Sequence, residues 1–110
     1  TTASDSLRMG LPVLTLSGDS FASRVGASLL TAVDMPELIT NAQDDYESVA
    51  VDLASNPNKM NIIKKKLARN LENAPLFNTK DFTMQIEKSY AEIYEKNQLG
   101  LEPDHIYIKA

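Results

Sequence analysis

Hydrophobic residues in this chain recur at helical spacing over four stretches and bunch together in a fifth. Phe21, Val25 and Leu29 stand at i, i+4 and i+8; Tyr46, Val49, Ala50 and Leu53 at i, i+3, i+4 and i+7. Met60, Ile63, Leu67 and Leu71 repeat the pattern, as do Phe82, Ile86, Tyr90 and Ile93. Each set marks one face of an amphipathic helix. The bunched stretch is Gly10-Leu11-Pro12-Val13-Leu14-Thr15-Leu16. Four apolar-rich residues cannot separate strand from helix by period, but the flanking Gly and Pro and the β-branched content select a short strand over Val13 to Leu16. Its run is nearly all apolar, which suits a parallel strand covered on both faces.

Punctuation between these runs sets the element boundaries. Residues 3 to 9 suit a short helix, with Thr2 as N-cap, Asp5 in the first turn at the positive end of the dipole, and Gly10 as a left-handed stop. The next helix starts near Ser20, capped by Asp19 or Ser17, and ends around Ala32. Ala22, Gly26 and Ala27 keep its adjoining faces thin. Gly26 costs about 1 kcal/mol relative to alanine in a helix interior, so a close approach to a strand or ligand is expected there. Glu37-Leu38-Ile39 fits a very short second strand, and Thr40 with Gln43 fits a capping box for the helix after it. Asn56-Pro57 reads as N-cap and first helical residue of the fourth helix. Pro75 makes 73 to 77 irregular, with Leu76 and Phe77 apolar enough to anchor that loop in a core. Asn78 or Thr79 caps the last helix, Gly100 closes it, and the tail alternates, with Ile106 and Ile108 set against Tyr107 and Lys109.

One firm strand, one doubtful strand and about five helices describe an α/β layer that is helix-rich. The order helix, strand, turn, helix within Thr1 to Leu30 is that of an α/β nucleotide-binding layer, whose helix N-termini suit a phosphate. Two strands leave the edges of a parallel sheet open, so the remaining strands are expected in another part of the same protein or in another chain. The sequence accordingly reads as a piece of a larger molecule.

Composition narrows the partners. The chain has 110 residues, 43% of them apolar and 24% charged, with a formal charge of −4 and no cysteine. Its length suits one small domain, and its charge gives no electrostatic case for nucleic acid or an anionic membrane. Disulfides and Cys-ligated zinc are excluded. No run reaches the roughly 20 apolar residues of a membrane span, no leader pattern is present, and a cytoplasmic location is expected. Lys64-Lys65-Lys66 with Arg69 falls opposite the apolar face of its helix. With no aromatic residue interleaved, it reads as a solvated face, a phosphate- or acid-binding patch being the alternative. His105, the single histidine, has no Ser or second ligand at useful spacing and reads as a surface or packing residue.

Six segments in order resemble a known family. They are Thr1-Thr2-Ala3-Ser4-Asp5, Gly10-Leu11-Pro12-Val13-Leu14-Thr15, Phe21-Ala22-Ser23-Arg24-Val25, Pro36-Glu37-Leu38-Ile39, Pro75-Leu76-Phe77-Asn78-Thr79 and Pro103-Asp104-His105. Together they resemble the C-terminal end of the O-linked N-acetylglucosamine transferase family, particularly its bacterial members. The resemblance implies a GT-B architecture of two Rossmann-like domains, usually preceded by tetratricopeptide repeats. On that basis residues 1–110 would be the C-terminal segment of a nucleotide-sugar-binding Rossmann-like domain, with terminal helices from about 79 to 100.

It also implies transfer of N-acetylglucosamine from UDP-GlcNAc to Ser or Thr of a protein acceptor. In that family a His-Thr-Thr motif meets the diphosphate at a helix N-terminus, and an aspartate three residues after the second threonine binds the ribose. Thr1, Thr2 and Asp5 match those positions as UDP-binding residues; the histidine that should precede Thr1 is not in the chain. The remainder of the catalytic region is expected upstream, so no catalytic residue is assigned here, and neither a cofactor nor a metal is expected. Read from spacing alone, Thr2 and Asp5 could equally serve as ordinary helix-capping residues, and a residue can do both. The alternative for the whole chain is a small helical protein-interaction module without catalytic activity.

Overall fold

The structure is a computed structural model that describes residues 1–109. It divides into two compact units, Thr1–Phe77 and Asn78–Ala110.

In the first unit the order is α1 (Thr2–Arg8), β1 (Thr15–Leu16), α2 (Phe21–Ala32), a 3-10 turn (Pro36–Leu38), β2 (Ile39–Thr40), α3 (Gln43–Ser55), α4 (Pro57–Asn73) and a second 3-10 turn (Pro75–Phe77). The sheet is a parallel pair in which Thr15 lies beside Ile39 and Leu16 beside Thr40. Both strands are shorter than, or displaced from, their expected spans. Pro12 holds the start of the first apolar run out of the ladder. Pro36, with no N–H and a fixed φ, turns the residues before Ile39 into the 3-10 turn.

That displacement changes the role of Thr40. It was expected to cap α3; instead it is the second residue of β2, only 6% exposed. Its Oγ1 donates to the Thr15 carbonyl at 2.8 Å, while the Thr40 carbonyl accepts from the Ser17 N–H at 2.8 Å. A buried hydroxyl must find a partner, and the strand beside it supplies one. The N-cap of α3 is therefore Ala42, without a side-chain cap, and the Gln43 amide donates to Glu47 instead. Asn56 does stand at the N-cap of α4, but its side chain turns back to Asp52 of α3.

The core consists of Leu7, Leu30, Val33, Met35, Leu38 and Leu67, all 1% exposed or less. It gathers α1, the end of α2 with its following turn, the first 3-10 turn and α4. Leu53, Ile63 and Leu71 pack around it on the faces the spacing predicts, and Leu76 and Phe77 anchor their loop as expected. The inward face of α2 differs from expectation. Leu30 and Val33 are sealed, whereas Phe21 is 82% exposed and Val25 39%. Gly26 decides the orientation: a Cβ there would stand 2.6 Å from the Thr15 hydroxyl oxygen and 3.1 Å from its Cβ. The thin side of α2 thus lies on β1, as its small residues suggest, and the Phe21–Val25 side faces away.

Two helix ends of this unit share one closing geometry. Gly10, at φ 79°, follows α1, with its N–H on Leu7 and the Leu11 N–H on Ser6. This is the Schellman turn that a left-handed residue permits. Asp34, at φ 56°, repeats it after α2 through Thr31 and Leu30. The Asn70 amide of α4 donates to the carbonyls of Val33 and Asp34 at 3.0 and 2.9 Å, clamping the second turn onto the next layer.

The second unit is α5 (Thr79–Gln98) and an extended tail. Asn78 caps it, accepting from the Asp81 N–H at 3.2 Å while its own amide donates to the Asp81 carboxylate at 2.7 Å. Gly100, at φ 69°, closes the other end. No residue of α5 is fully buried. Ile106 and Ile108 are half-buried while Tyr107 and Lys109 are exposed, so the alternation of the tail holds.

Candidate functional site

The three residues singled out for ligand binding all fall in the first turn of α1. Thr1 is the N-cap, Thr2 the first helical residue, and Asp5 closes the turn with its N–H on the Thr1 carbonyl at 2.9 Å. The helix therefore begins one residue earlier than expected, and Thr1, not Thr2, holds the cap position. No side-chain hydrogen bond caps this end. The amides at the start of an α-helix have no partner within the helix, so those of Thr2, Ala3 and Ser4 are left as donors. The nearby serines do not compete for this role. Ser4 Oγ donates back to the Thr1 carbonyl and Ser6 Oγ to the Thr2 carbonyl, each at 2.8 Å.

Thr1, Thr2 and Asp5 are exposed, whereas Leu7 is sealed in the core and fixes the short helix from its inner side. Thr2 and Asp5, three residues apart, share a side of the helix, as do Thr1 and Asp5, four apart. Hydroxyls and amides at a positive helix end suit phosphate oxygens. A carboxylate beside them accepts hydrogen bonds and would repel a phosphate, which suits it to vicinal hydroxyls. At the far end of α1, the Arg8 guanidinium stacks over the Phe77 ring at 5.7 Å, holding the helix to the second 3-10 turn.

Two of the other helix starts differ from this one, while those of α3 and α4 likewise lack a side-chain cap. At α2 the Ser20 Oγ accepts from the Ser23 N–H at 3.3 Å, and α5 is capped by Asn78. A concavity of about 360 Å³ beside the end of α5 is lined by Ile93, Lys96, Leu101 and Ile106 among others, not by the residues of α1.

The remaining candidates are solvated. Lys64, Lys65 and Arg69 are exposed. Lys66 departs from the expected outward face, reaching both carboxylate oxygens of Glu37 at 2.9 Å. His105 is exposed, its N–H donating to Asp104 at 2.7 Å and its ring 6.2 Å from that of Tyr107. Among the described residues no three His, Asp or Glu side chains cluster as a metal site would, and no helix is long and apolar enough to cross a membrane. Asn70 is the residue that pattern reading overlooks. An asparagine in the interior of a helix is a poor helix former, and that misfit was the available signal.

Comparison with known proteins identifies the family of the chain. The family model described as Glycosyl transferase family 41 matches residues 1–86. A probable UDP-N-acetylglucosamine–peptide N-acetylglucosaminyltransferase SPINDLY of Hordeum vulgare is 34% identical over 94% of this chain and 11% of its own length. A probable transferase of the same kind, SEC of Arabidopsis thaliana, is 33% identical over 98% of the chain and 11% of its own length. Among solved structures, a mutant of the Thermobaculum terrenum O-GlcNAc transferase superposes with a TM-score of 0.77 and 29% identity, covering 84% of this chain and 18% of that one. The chain thus spans about a tenth of the length of these curated relatives.

Proposed function

Because the chain belongs to glycosyl transferase family 41, we propose that it is the C-terminal segment of an enzyme that transfers N-acetylglucosamine from UDP-GlcNAc to Ser or Thr hydroxyls of proteins. Its fold is the helix-rich α/β part of a Rossmann-like GT-B domain. In this reading residues 1–110 contribute one wall of the nucleotide site, with a protein acceptor and the rest of the catalytic region as partners. The names of the relatives support the reaction class, since they are peptide N-acetylglucosaminyltransferases.

The observation that carries the local role is the uncapped, exposed mouth of α1 with Thr1, Thr2 and Asp5 around it. Thr1 and Thr2, with the free amides behind them, hold the diphosphate of UDP; Asp5 accepts hydrogen bonds from the ribose hydroxyls. As an acceptor hydroxyl attacks the anomeric carbon, the bond to the diphosphate breaks and negative charge grows on its oxygens. Preorganised donors at a helix end stabilise that charge as it develops. These donors need no metal to act. The opposite wall, the base that takes the acceptor proton and the sugar contacts belong to residues outside this chain.

Calorimetry with UDP on the full-length polypeptide tests the assignment. Asp5→Ala is expected to weaken UDP binding about ten- to a hundredfold, in line with the ~1.5–3 kcal/mol of a hydrogen bond to a charged group. Unchanged affinity would remove Asp5 from the site.

A further inference from the structure

We propose that Arg8 and Phe77 are positioning residues for the nucleotide: the guanidinium lying over the ring fixes the direction in which the mouth of α1 points, without touching the ligand. The proposal rests on the reading that Thr1, Thr2 and Asp5 meet UDP. It starts from the shortness of α1. Its seven residues make fewer than two turns, and an isolated helix of that length is not stable in water. The order of α1 therefore comes from what it touches. Leu7 is its one fully buried residue, while Thr1, Thr2, Asp5, Arg8 and Met9 are exposed. Ala3, Ser4 and Ser6 are half-buried but small, and the two serine hydroxyls are bonded to carbonyls of α1 itself.

A single buried side chain holds a helix in place but leaves it able to tilt. Thr2 stands about 7.5 Å from Leu7 along the axis, at about 1.5 Å per residue, so a tilt of about 10° moves it by about 1.3 Å. Donors at a helix end act only where the charged oxygens stand, and a misplacement of about 1 Å costs about a hundredfold in rate. A second attachment is needed to keep the mouth of α1 in one place.

The stack supplies it. The Arg8 guanidinium carbon lies 5.7 Å from the Phe77 ring centroid, within the range of cation–π attraction. Leu7 and Arg8 point about 100° apart around the helix axis, so the two attachments together resist both rolling and tilting. Asp5 stands three residues before Arg8, a spacing at which helical ion pairs form. Arg8 nevertheless takes part in no ion pair among the described residues. The ring takes the guanidinium, and the carboxylate read as the ribose acceptor is left without an internal cation. Phe77 is a firm seat, because it is half-buried, packs against the core and belongs to the 3-10 turn that Pro75 opens.

Calorimetry with UDP on variants of the full-length polypeptide tests the pair. Arg8→Ala, and Phe77→Leu, which keeps an apolar side chain in the core, should each weaken UDP binding about two- to fivefold, the range of a partly exposed cation–π contact. The number of sites per polypeptide should stay the same. The double variant should bind no worse than either single one, because both remove the same contact. Phe77→Tyr keeps the face of the ring and should keep the affinity. A stack that serves stability alone would lower the thermal midpoint and leave the affinity of the folded protein unchanged. That result, additive losses in the double variant, or a Phe77→Tyr affinity as low as that of Phe77→Leu would each overturn the proposal. Asp5→Ala keeps the two readings apart. Arg8→Ala without effect beside a weakened Asp5→Ala discards the positioning role alone, whereas an Asp5→Ala variant that binds UDP normally discards the nucleotide reading and this inference with it.

Discussion

The two units hold their shape by different means. In Thr1–Phe77 six side chains drawn from four elements close a core that is essentially dry, and the residues that meet there are far apart in sequence. In Asn78–Ala110 the twenty-residue α5 buries no residue completely, and its order comes from nearby devices. Asn78 and Asp81 cap its start, Lys96 pairs with Glu92 at 3.1 Å one turn away, and Gly100 closes its end. Local devices contribute a few tenths to about one kcal/mol each. Burial of a core side chain contributes about 1.5–3 kcal/mol. The difference teaches where a change in sequence will be felt: across the whole first unit, but close to its own position in the second.

The sharpest way to break this contrast is to cut a side chain in each unit and compare urea unfolding. Leu30→Ala should cost about 2–5 kcal/mol, because the cavity left by a sealed leucine collapses only partly. Phe82→Ala, at a position 63% exposed, should cost under about 1 kcal/mol. Equal losses would mean that the units do not differ as described. A smaller effect is expected at the clamp between layers. Asn70→Ala leaves the Val33 and Asp34 carbonyls without their side-chain donor and should lower stability by about 1–2 kcal/mol. An unchanged unfolding midpoint would show that water replaces the amide at no loss. The smallest effect should run the other way. Asp34 holds a left-handed φ of 56°, which glycine adopts without strain. Asp34→Gly should therefore raise stability by about 0.5 kcal/mol after the extra freedom of the unfolded chain is counted.

Much of the first unit was legible in the sequence because punctuation and period agreed there. Gly10 stops α1, Pro57 opens α4, and Ile63, Leu67 and Leu71 form the face that packs. Where reading failed, two valid local signals competed. Thr40 with Gln43 makes a sound capping box, yet a parallel neighbour offered the hydroxyl a buried partner, and tertiary structure won. Phe21, Val25 and Leu29 form a sound amphipathic stripe, but α2 carries a second apolar side, and only the close approach of Gly26 to Thr15 shows which one faces inward. Period alone cannot rank two apolar sides of one helix. The candidate site was legible only in part. A short helix with Asp5 in its first turn followed from the residues, although its start lies one residue earlier than they suggested, whereas the use of Thr1, Thr2 and Asp5 for a nucleotide came from resemblance. A capping threonine and a ligand-binding threonine look alike in sequence.

The parallel sense of β1 and β2 carries one more consequence. Because both strands run the same way, the segments leaving Leu16 and Thr40 emerge on a common rim. The turn that opens α2 and the one that opens α3 are therefore neighbours in space although a whole helix separates them along the chain. An engineer wishing to reshape that rim would have to randomise Gly18–Asp19 and Asn41–Ala42 as a single library, since altering one turn resets the surroundings of the other.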